Sequence, residues 1–182
     1  MGAPNGNFYS GSIAFAPNLA WAAKTEVHFS KLLEKELGYK DVHVTLTNDA
    51  NAAAMGCYVS QTDFDSVVFH IQQTGVIGCG EGVVCDGHLV KGRNNYAGEV
   101  APLGKTFKLS GKRHEMVWTY EGMTEIVSRF LATTICNVAP DAIFVGCHLT
   151  SDMDALHDEL ATIIPEQYLP DLFWIDDHRE LI

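Results

Sequence analysis

A strand, a polar corner and an alanine-rich helix follow one another within residues 44–57, and this order constrains the fold more than any other feature. Apolar and polar residues alternate over 42–46, which is the period-2 pattern of a short strand. The chain turns polar over 47–49 and then enters an alanine-rich helix over 50–59. A strand that leads directly into a helix is typical of the α/β class, which is the predicted fold class.

Asp49 lies at the carboxyl end of this predicted strand and at the start of the helix. Open α/β sheets bind ligands beyond the carboxyl ends of their strands, so the position suits a general base. Alternatively, Asn48 or Asp49 caps the helix by accepting a hydrogen bond from a free N–H group, which contributes about 1 kcal/mol to stability. Taken alone, the pattern favours capping.

Other segments extend the alternation of helices and strands. Residues 1–19 are rich in Gly, Pro, Asn and Ser, which predicts turns around one short strand over 12–15. Residues 27–37 carry apolar side chains at helical spacing, and Gly38 is placed to end that helix. Further elements are predicted over residues 121–138 (helix), 143–145 (strand), 153–164 (helix) and 172–175 (strand).

A glycine-rich segment follows a buried strand predicted over 67–71. Residues 72–82 read QQTGVIGCGEG, with four glycines that free backbone N–H groups to face an anion at close range. This segment is either a phosphate cradle or a tight connection between strands. Neither a Walker motif nor a Rossmann signature is present. A β-hairpin with an Asp-Gly turn is predicted over 83–90.

Glu99 lies between small residues in a polar stretch, where it either accepts hydrogen bonds from the hydroxyls of a polyol or is simply exposed. The chain has 23 acidic and 12 basic residues, and nine acidic residues but only one basic residue fall within 151–182. Because such a field repels phosphate backbones, no direct nucleic-acid binding by this segment is expected.

Cysteine and histidine spacing gives no support for a metal site. The five cysteines are odd in number and form no CxxC pair, and no HxxxH spacing occurs. Nothing resembles a signal peptide or a membrane-spanning segment. The expectation is a reduced, cytoplasmic compartment, with no metal and no membrane partner.

Several motifs together resemble the ROK family (repressors, open reading frames and sugar kinases). They occur in the order GAPNGNFYSGSIAFAPNLAW, TNDANAAAMG, a Gly-rich strand loop, DGHLVKG, AGE and NVAPDAIFVG. The most specific are NDANAAA and the DGxLxxGxxxxAGE pattern. The resemblance implies the actin-like, hexokinase-type fold related to ribonuclease H, with a sugar and ATP between two α/β lobes. It implies that residues 1–45 are the remainder of an N-terminal lobe with a linking helix, and 46–182 a C-terminal lobe.

The resemblance also implies roles for individual residues. Asp49 would be the base that takes the proton from the attacking sugar hydroxyl. Asn48 and Glu99 would bind sugar hydroxyls, with Gly2 at the sugar-side turn. The nucleotide would be bound by the residues Thr74, Gly75, Gly78, Gly80 and Gly146.

Departures from the family pattern are as informative as the matches. The chain has no DxGGT-type phosphate loop, so the family fold is expected to be incomplete at its N-terminus. Gln73 precedes Thr74 where the second phosphate loop usually reads GTGxGxG. AGE is followed by Val-Ala-Pro rather than by the x-Gly-His and cysteines of zinc-containing members, so no zinc is expected. Cys147 replaces the second of two late glycines.

Three interpretations of function follow. The first is a sugar-sensing regulatory domain with a degenerate kinase site, whose DNA-binding domain would lie upstream. The second is an ATP- and Mg²⁺-dependent, glucokinase-like hexose kinase, and the third is an inactive remnant. The expected ligand is a hexose or an N-acetylhexosamine, and a homo-oligomer is possible within the family. The residues do not determine which sugar is bound.

Overall fold

A computed structural model of the protein describes residues 2–3, 7–9, 12–15, 27–38, 47–61, 63–75 and 78–176. The strand expected over 42–46 lies outside these described residues. The described strands are β1 (Gly2–Ala3), β2 (Asn7–Tyr9), β3 (Ser12–Phe15), β4 (Val27–His28), β5 (Thr47–Asn48), β6 (Val67–Gln72), β7 (Cys79–Cys85), β8 (His88–Leu89), β9 (Ala142–Gly146) and β10 (Asp171–Trp174). The helices are α1 (Phe29–Leu37), α2 (Asp49–Ser60), α3 (Arg113–Met116), α4 (Tyr120–Val138) and α5 (Met153–Ala161).

A five-stranded mixed sheet in the order β10-β9-β6-β7-β8 forms the centre of the fold. Strands β10, β9 and β6 are parallel, whereas β7 and β8 are antiparallel to their neighbours. The apolar run Val67, Val68 and Phe69 at the start of β6 is fully buried on both sides of the strand. Such a run requires cover on both faces of the sheet.

Helices supply that cover and make a three-layer α/β/α arrangement. On one face, alanines of α2 pack with Phe69, Val84 and Phe144. On the other face, α4 and α5 pack with Val68 and Ile143. The small side chains of α2 allow the helix to lie close to the sheet.

The direction of α2 decides where its first residues lie. A Cβ built on Gly82, in the middle of β7, would meet Ala50 at the start of the helix. A Cβ on Gly87, just after β7, would meet Tyr58 near the end of the helix. Helix α2 therefore runs along β7 and antiparallel to β6, and its N-terminus points to the edge where β6 and β9 end.

Two smaller sheets involve the early part of the chain. Strand β1 pairs in parallel with β5, so that Gly2 lies opposite Thr47 and Ala3 opposite Asn48. Strands β2, β3 and β4 form an antiparallel sheet. The β1 and β5 pair crosses the proposed boundary between residues 45 and 46, and the division into two lobes stays a prediction.

Several expectations about local structure are confirmed. The helices expected over 50–59 and 121–138 are α2 and α4, and the strand expected over 12–15 is β3. The helix expected over 27–37 begins two residues later, because Val27 and His28 pair with β3 as a strand. Gly38 ends this helix in the left-handed conformation, as expected.

The glycine-rich segment contains a tight connection between strands, which was one of its two expected alternatives, but the connection is shorter than expected. Gly80 and Gly82 lie inside β7, so they belong to the strand and not to a loop. The backbone of the segment is thus a β-hairpin, in which β6 and β7 are joined by residues 73–78. The glycine at position 82 is explained by the close approach of α2, which leaves no room for a side chain there.

Candidate functional site

The start of α2 assigns separate tasks to Asn48 and Asp49. Asn48 is the N-cap, and its Oδ1 accepts a hydrogen bond from the backbone N–H of Asn51 at 3.1 Å. Asp49 is the first helical residue, and its Oδ1 accepts from the N–H of Ala50 at 3.0 Å. Both side chains are half-buried. Since Asn48 serves as the cap, capping does not account for the carboxylate of Asp49.

Two neighbouring residues of β7, Glu81 and Gly82, contact the segments that bear the predicted site residues. The carbonyl oxygen of Ala50 would lie only 2.1 Å from a Cβ on Gly82, so the first turn of α2 rests directly on the strand. The preceding residue, Glu81, donates its backbone N–H to the carbonyl oxygen of Gly98 at 2.8 Å. Adjacent positions of one strand therefore support the segments that carry Asp49 and Glu99.

The carboxylates of Asp49 and Glu99 interact electrostatically. Burial, and next to it the negative charge of Asp49, raise the pKa of Glu99 above its ordinary value. Burial, followed by the charges of Glu81 and Glu99, raises the pKa of the Cys79 thiol to about 12. The charges of Asp49 and Glu99 are therefore close enough to interact, and the thiol of Cys79 stays un-ionised.

The loop that leads to Glu99 has an unusual backbone. Asn94 and Asn95 have positive φ angles of 57°, and Gly92 and Gly98 have positive φ angles of 63° and 82°. Positive φ is uncommon for residues other than glycine, and asparagine is among those that adopt it most readily. A Cβ on Gly98 would lie 1.8 Å from the carbonyl oxygen of Glu81, so only glycine fits there.

The residues expected to bind a nucleotide lie at the same edge of the central sheet. Gly146 is the last residue of β9 and lies opposite Ile71 near the end of β6. Thr74, Gly75 and Gly78 lie in the hairpin that follows β6, where the N–H of Gln73 donates to the carbonyl oxygen of Gly78 at 3.0 Å. This edge is also the one toward which the N-terminus of α2 points.

Trp118 is a feature of this edge that the sequence did not reveal. Its indole ring lies against Gly75, where a Cβ would come within 2.2 to 2.8 Å of three ring carbons. The N–H of Gly75 donates to the carbonyl oxygen of Val117 at 3.1 Å. Trp118 as a whole residue is nonetheless 65% exposed. No local pattern signals this contact, because it depends on how the hairpin and the segment after α3 meet.

A large cavity lies elsewhere. Its volume is about 740 Å³, and Asp63, Asp141 and Asp171 line it at the edge where β6, β9 and β10 begin. None of the predicted site residues lines it.

Within the described ranges, no three His, Cys, Asp or Glu side chains cluster so that they could hold a metal ion. No helix in the described part of the chain is both long and apolar enough to cross a membrane.

The central sheet with helices on both faces has the actin-like ATPase fold, which is the fold of the ROK hexokinases among its structural neighbours. Residues 7–104, more than half of the chain, match the model of the ROK family, and the chain belongs to that family. No curated protein sequence matches the chain.

Three solved structures illustrate the range of proteins with this fold. A ROK family protein from Streptococcus pneumoniae TIGR4, crystallised with sucrose, is 16% identical, with a TM-score of 0.68 over 99% of this chain and 74% of that one. A ROK family glucokinase from Streptomyces griseus, in complex with glucose and AMPPNP, is 19% identical, with a TM-score of 0.62 and coverage of 94% and 74%. A ROK family transcriptional regulator, homologous to the E. coli MLC protein, is 17% identical, with a TM-score of 0.62 and coverage of 94% and 56%.

Kinases and a regulator thus share this fold, so the fold does not separate the two functions. At these identities the likeness establishes the fold alone, and the roles of individual residues depend on the geometry of this chain.

Proposed function

We propose that this chain binds a hexose or an N-acetylhexosamine with Asn48, Asp49 and Glu99, as the sugar-sensing part of a ROK regulator with a degenerate kinase site. The observation that carries the sugar site is that adjacent residues of β7, Glu81 and Gly82, contact the segments that bear two half-buried carboxylates, Asp49 and Glu99, whose charges interact. Neighbouring carboxylates repel each other, so their juxtaposition costs stability. A polyol that donates hydroxyl hydrogen bonds to both would offset this cost.

Each side chain has a chemical task in this proposal. Ionised Asp49 and Glu99 are acceptors only, and each can take hydrogen bonds from adjacent sugar hydroxyls. The Oδ1 of Asn48 already accepts a hydrogen bond from the N–H of Asn51. The amide nitrogen of Asn48 is therefore the group that can donate to a sugar oxygen. Gly2, which was expected at a sugar-side turn, lies in strand β1 beside β5, and its contact with the sugar is part of the proposal.

The phosphate side supports the regulatory assignment. A triphosphate bound at the hairpin would use backbone N–H groups, but that of Gly75 is bonded to Val117 and the indole of Trp118 lies over this residue. Both contacts argue against a phosphate at Gly75 in this arrangement. Gly80 lies within β7, and its role toward a nucleotide stays a prediction, as do those of Thr74, Gly78 and Gly146.

A hexose kinase is the second candidate, and the position of Asp49 favours it. The carboxylate is at the N-terminus of a helix, at the sheet edge shared with Gly146, and Asn48 rather than Asp49 is the cap. In a kinase, Asp49 would accept the proton of the attacking sugar hydroxyl, while ATP and Mg²⁺ would supply the phosphoryl group and neutralise its charge. Trp118 would have to leave Gly75 first.

The pH dependence of sugar binding tests the role of Glu99. Its pKa is raised above the ordinary 4.5, so lowering the pH from neutral to 4.5 protonates Glu99 and removes acceptor capacity. Affinity for a bound hexose is expected to fall over this range. Replacement Glu99→Gln should weaken binding about tenfold at neutral pH, and most of the pH dependence should disappear. Calorimetric titration at several pH values measures both effects.

The ionisation of Glu99, which favours sugar binding, should lower the free energy of unfolding. A raised carboxyl pKa means that ionisation is penalised in the folded state, so the penalty is absent below 4.5 and grows as the pH rises through the raised pKa. At neutral pH, Glu99→Gln should therefore stabilise the fold while it weakens sugar binding. The matched control is Glu166→Gln, which changes an exposed residue between Pro165 and Gln167, two residues that line the cavity at the opposite edge of the sheet. Equal pH profiles in wild type and Glu99→Gln would refute this role.

A further inference from the structure

Three polar side chains meet inside the apolar layer between the central sheet and α4. His70 on β6 and Glu81 on β7 lie opposite each other, with Nδ1 of His70 3.0 Å from Oε1 of Glu81. Thr134 on α4 donates its hydroxyl to Oε2 of Glu81 at 2.6 Å. The three residues are 0%, 4% and 5% exposed. One carboxylate is thus held from a neighbouring strand and from a helix.

Stability alone does not explain this cluster. Burying a carboxylate is costly even when it is paired, and apolar residues of similar size are often at least as stable in such places. A paired buried charge does, however, define one arrangement of its surroundings more strictly than apolar contacts do. The question is which part of the molecule depends on that arrangement.

The backbone of Glu81 leads directly to the proposed sugar site. Its N–H donates to the carbonyl oxygen of Gly98, and its own carbonyl oxygen lies where a Cβ of Gly98 would be. Glu99 follows at once. A cavity of about 410 Å³, lined by Glu81, Thr134, Val100 and Leu103, lies between α4 and this loop. Side-chain contact between α4 and this loop is therefore incomplete, whereas the hydrogen bond from Glu81 to Gly98 joins β7 to the loop directly.

We propose that Glu81 is a positioning residue for Glu99, and that His70 and Thr134 hold it in place. This inference rests on the proposed sugar site. The two hydrogen bonds of the Glu81 carboxylate set the position of β7 relative to β6 and α4. The backbone of Glu81 transmits that position to Gly98. The next residue, Gly82, supports Ala50 and with it Asp49. One point on β7 thus sets the distance between the two sugar-binding carboxylates.

Thr134→Val tests the proposal with a small change of shape. The valine keeps the volume of the side chain but leaves Oε2 of Glu81 without its donor. Two quantities are measured in the full-length protein: affinity for glucose, N-acetylglucosamine and N-acetylmannosamine by calorimetry, and the pKa of Glu99 by carboxyl NMR. We expect affinity for the sugar that binds wild type to fall about tenfold and the pKa of Glu99 to fall toward its ordinary value.

Matched variants separate positioning from general loss of stability. Thr133→Val removes the neighbouring hydroxyl, which donates to the carbonyl oxygen of Arg129 at 3.1 Å, and should change neither quantity. Thr134→Ser keeps the hydroxyl donor, so its sugar affinity and its Glu99 pKa should equal those of wild type. Glu81→Gln weakens the same cluster from its centre and should reproduce the effects of Thr134→Val.

Each outcome decides the proposal. Unchanged sugar affinity in Thr134→Val and Glu81→Gln overturns it, whatever the pKa of Glu99 does. An equal loss in Thr133→Val also overturns it, because the effect would then be one of stability. If wild type binds none of the three sugars, the proposed function fails, and an unchanged pKa of Glu99 in the variants rejects the positioning role separately.

Discussion

Asp49→Asn is expected to weaken sugar binding between about 10- and 100-fold, the range for loss of a hydrogen bond to a charged group. The asparagine keeps the shape of the side chain and its acceptor for the N–H of Ala50, but it loses one acceptor oxygen and the charge. If the protein is a kinase, turnover should fall further, by about 10²- to 10⁴-fold, because the base is lost. Calorimetric titration and a coupled assay for ADP measure the two effects.

Asp154→Asn is the control for Asp49→Asn. Asp154 also lies in the first turn of a helix, α5, where its exposed carboxylate stabilises the helix dipole. Each variant should lose a similar, small part of the free energy of unfolding, whereas only Asp49→Asn should lose sugar affinity. Equal affinity in Asp49→Asn and wild type would show that Asp49 does not touch the sugar.

Gly98→Ala is expected to have the largest effect on stability, about 3 kcal/mol or more of the free energy of unfolding. Two costs add at this position. The φ angle of +82° is strained for alanine, and the new Cβ would lie 1.8 Å from the backbone oxygen of Glu81. The loop would have to move away from β7, so sugar binding should be lost even in the molecules that fold.

Two other glycines separate these costs. Gly38 has a φ of +68° but no atom within 4 Å of the added Cβ, so Gly38→Ala should cost only about 1 kcal/mol. Gly82 is not in the left-handed region, but its Cβ would lie 2.1 Å from Ala50, so Gly82→Ala should cost about 1–3 kcal/mol. Urea unfolding measures all three. A cost of Gly98→Ala no larger than that of Gly38→Ala would disprove the close contact with Glu81.

The elements that could be predicted from sequence are those set by local periodicity. Helix α4 follows from its apolar spacing, and the helix after Asp49 from its alanines and polar start. The end of α1 at Gly38 follows from the left-handed preference of glycine. These features depend on residues within one or two turns of each other, so the sequence shows them directly.

The features that could not be predicted depend on contacts between distant segments. The glycine-rich stretch was expected to be either a phosphate cradle or a tight connection between strands, and the sequence did not show that Gly82 is small because α2 packs against it. Thr134 meets Glu81 across 53 positions of sequence, and Trp118 meets Gly75 only once the hairpin and α3 are in place. No spacing rule signals such pairs. The family resemblance was the reason for assigning Asp49 and Glu99 to one site. The structure adds that adjacent residues of β7 contact the two segments that bear them.

The most direct test of the central claim is calorimetric titration of the full-length protein with glucose, N-acetylglucosamine and N-acetylmannosamine, each with and without Mg-ATP. A sugar-sensing domain with a degenerate phosphate site should bind one of these sugars and neither bind nor turn over ATP. Formation of ADP and sugar phosphate by wild type but not by Asp49→Asn would contradict the regulatory assignment and establish the kinase. Absence of heat with every sugar would contradict the sugar site itself.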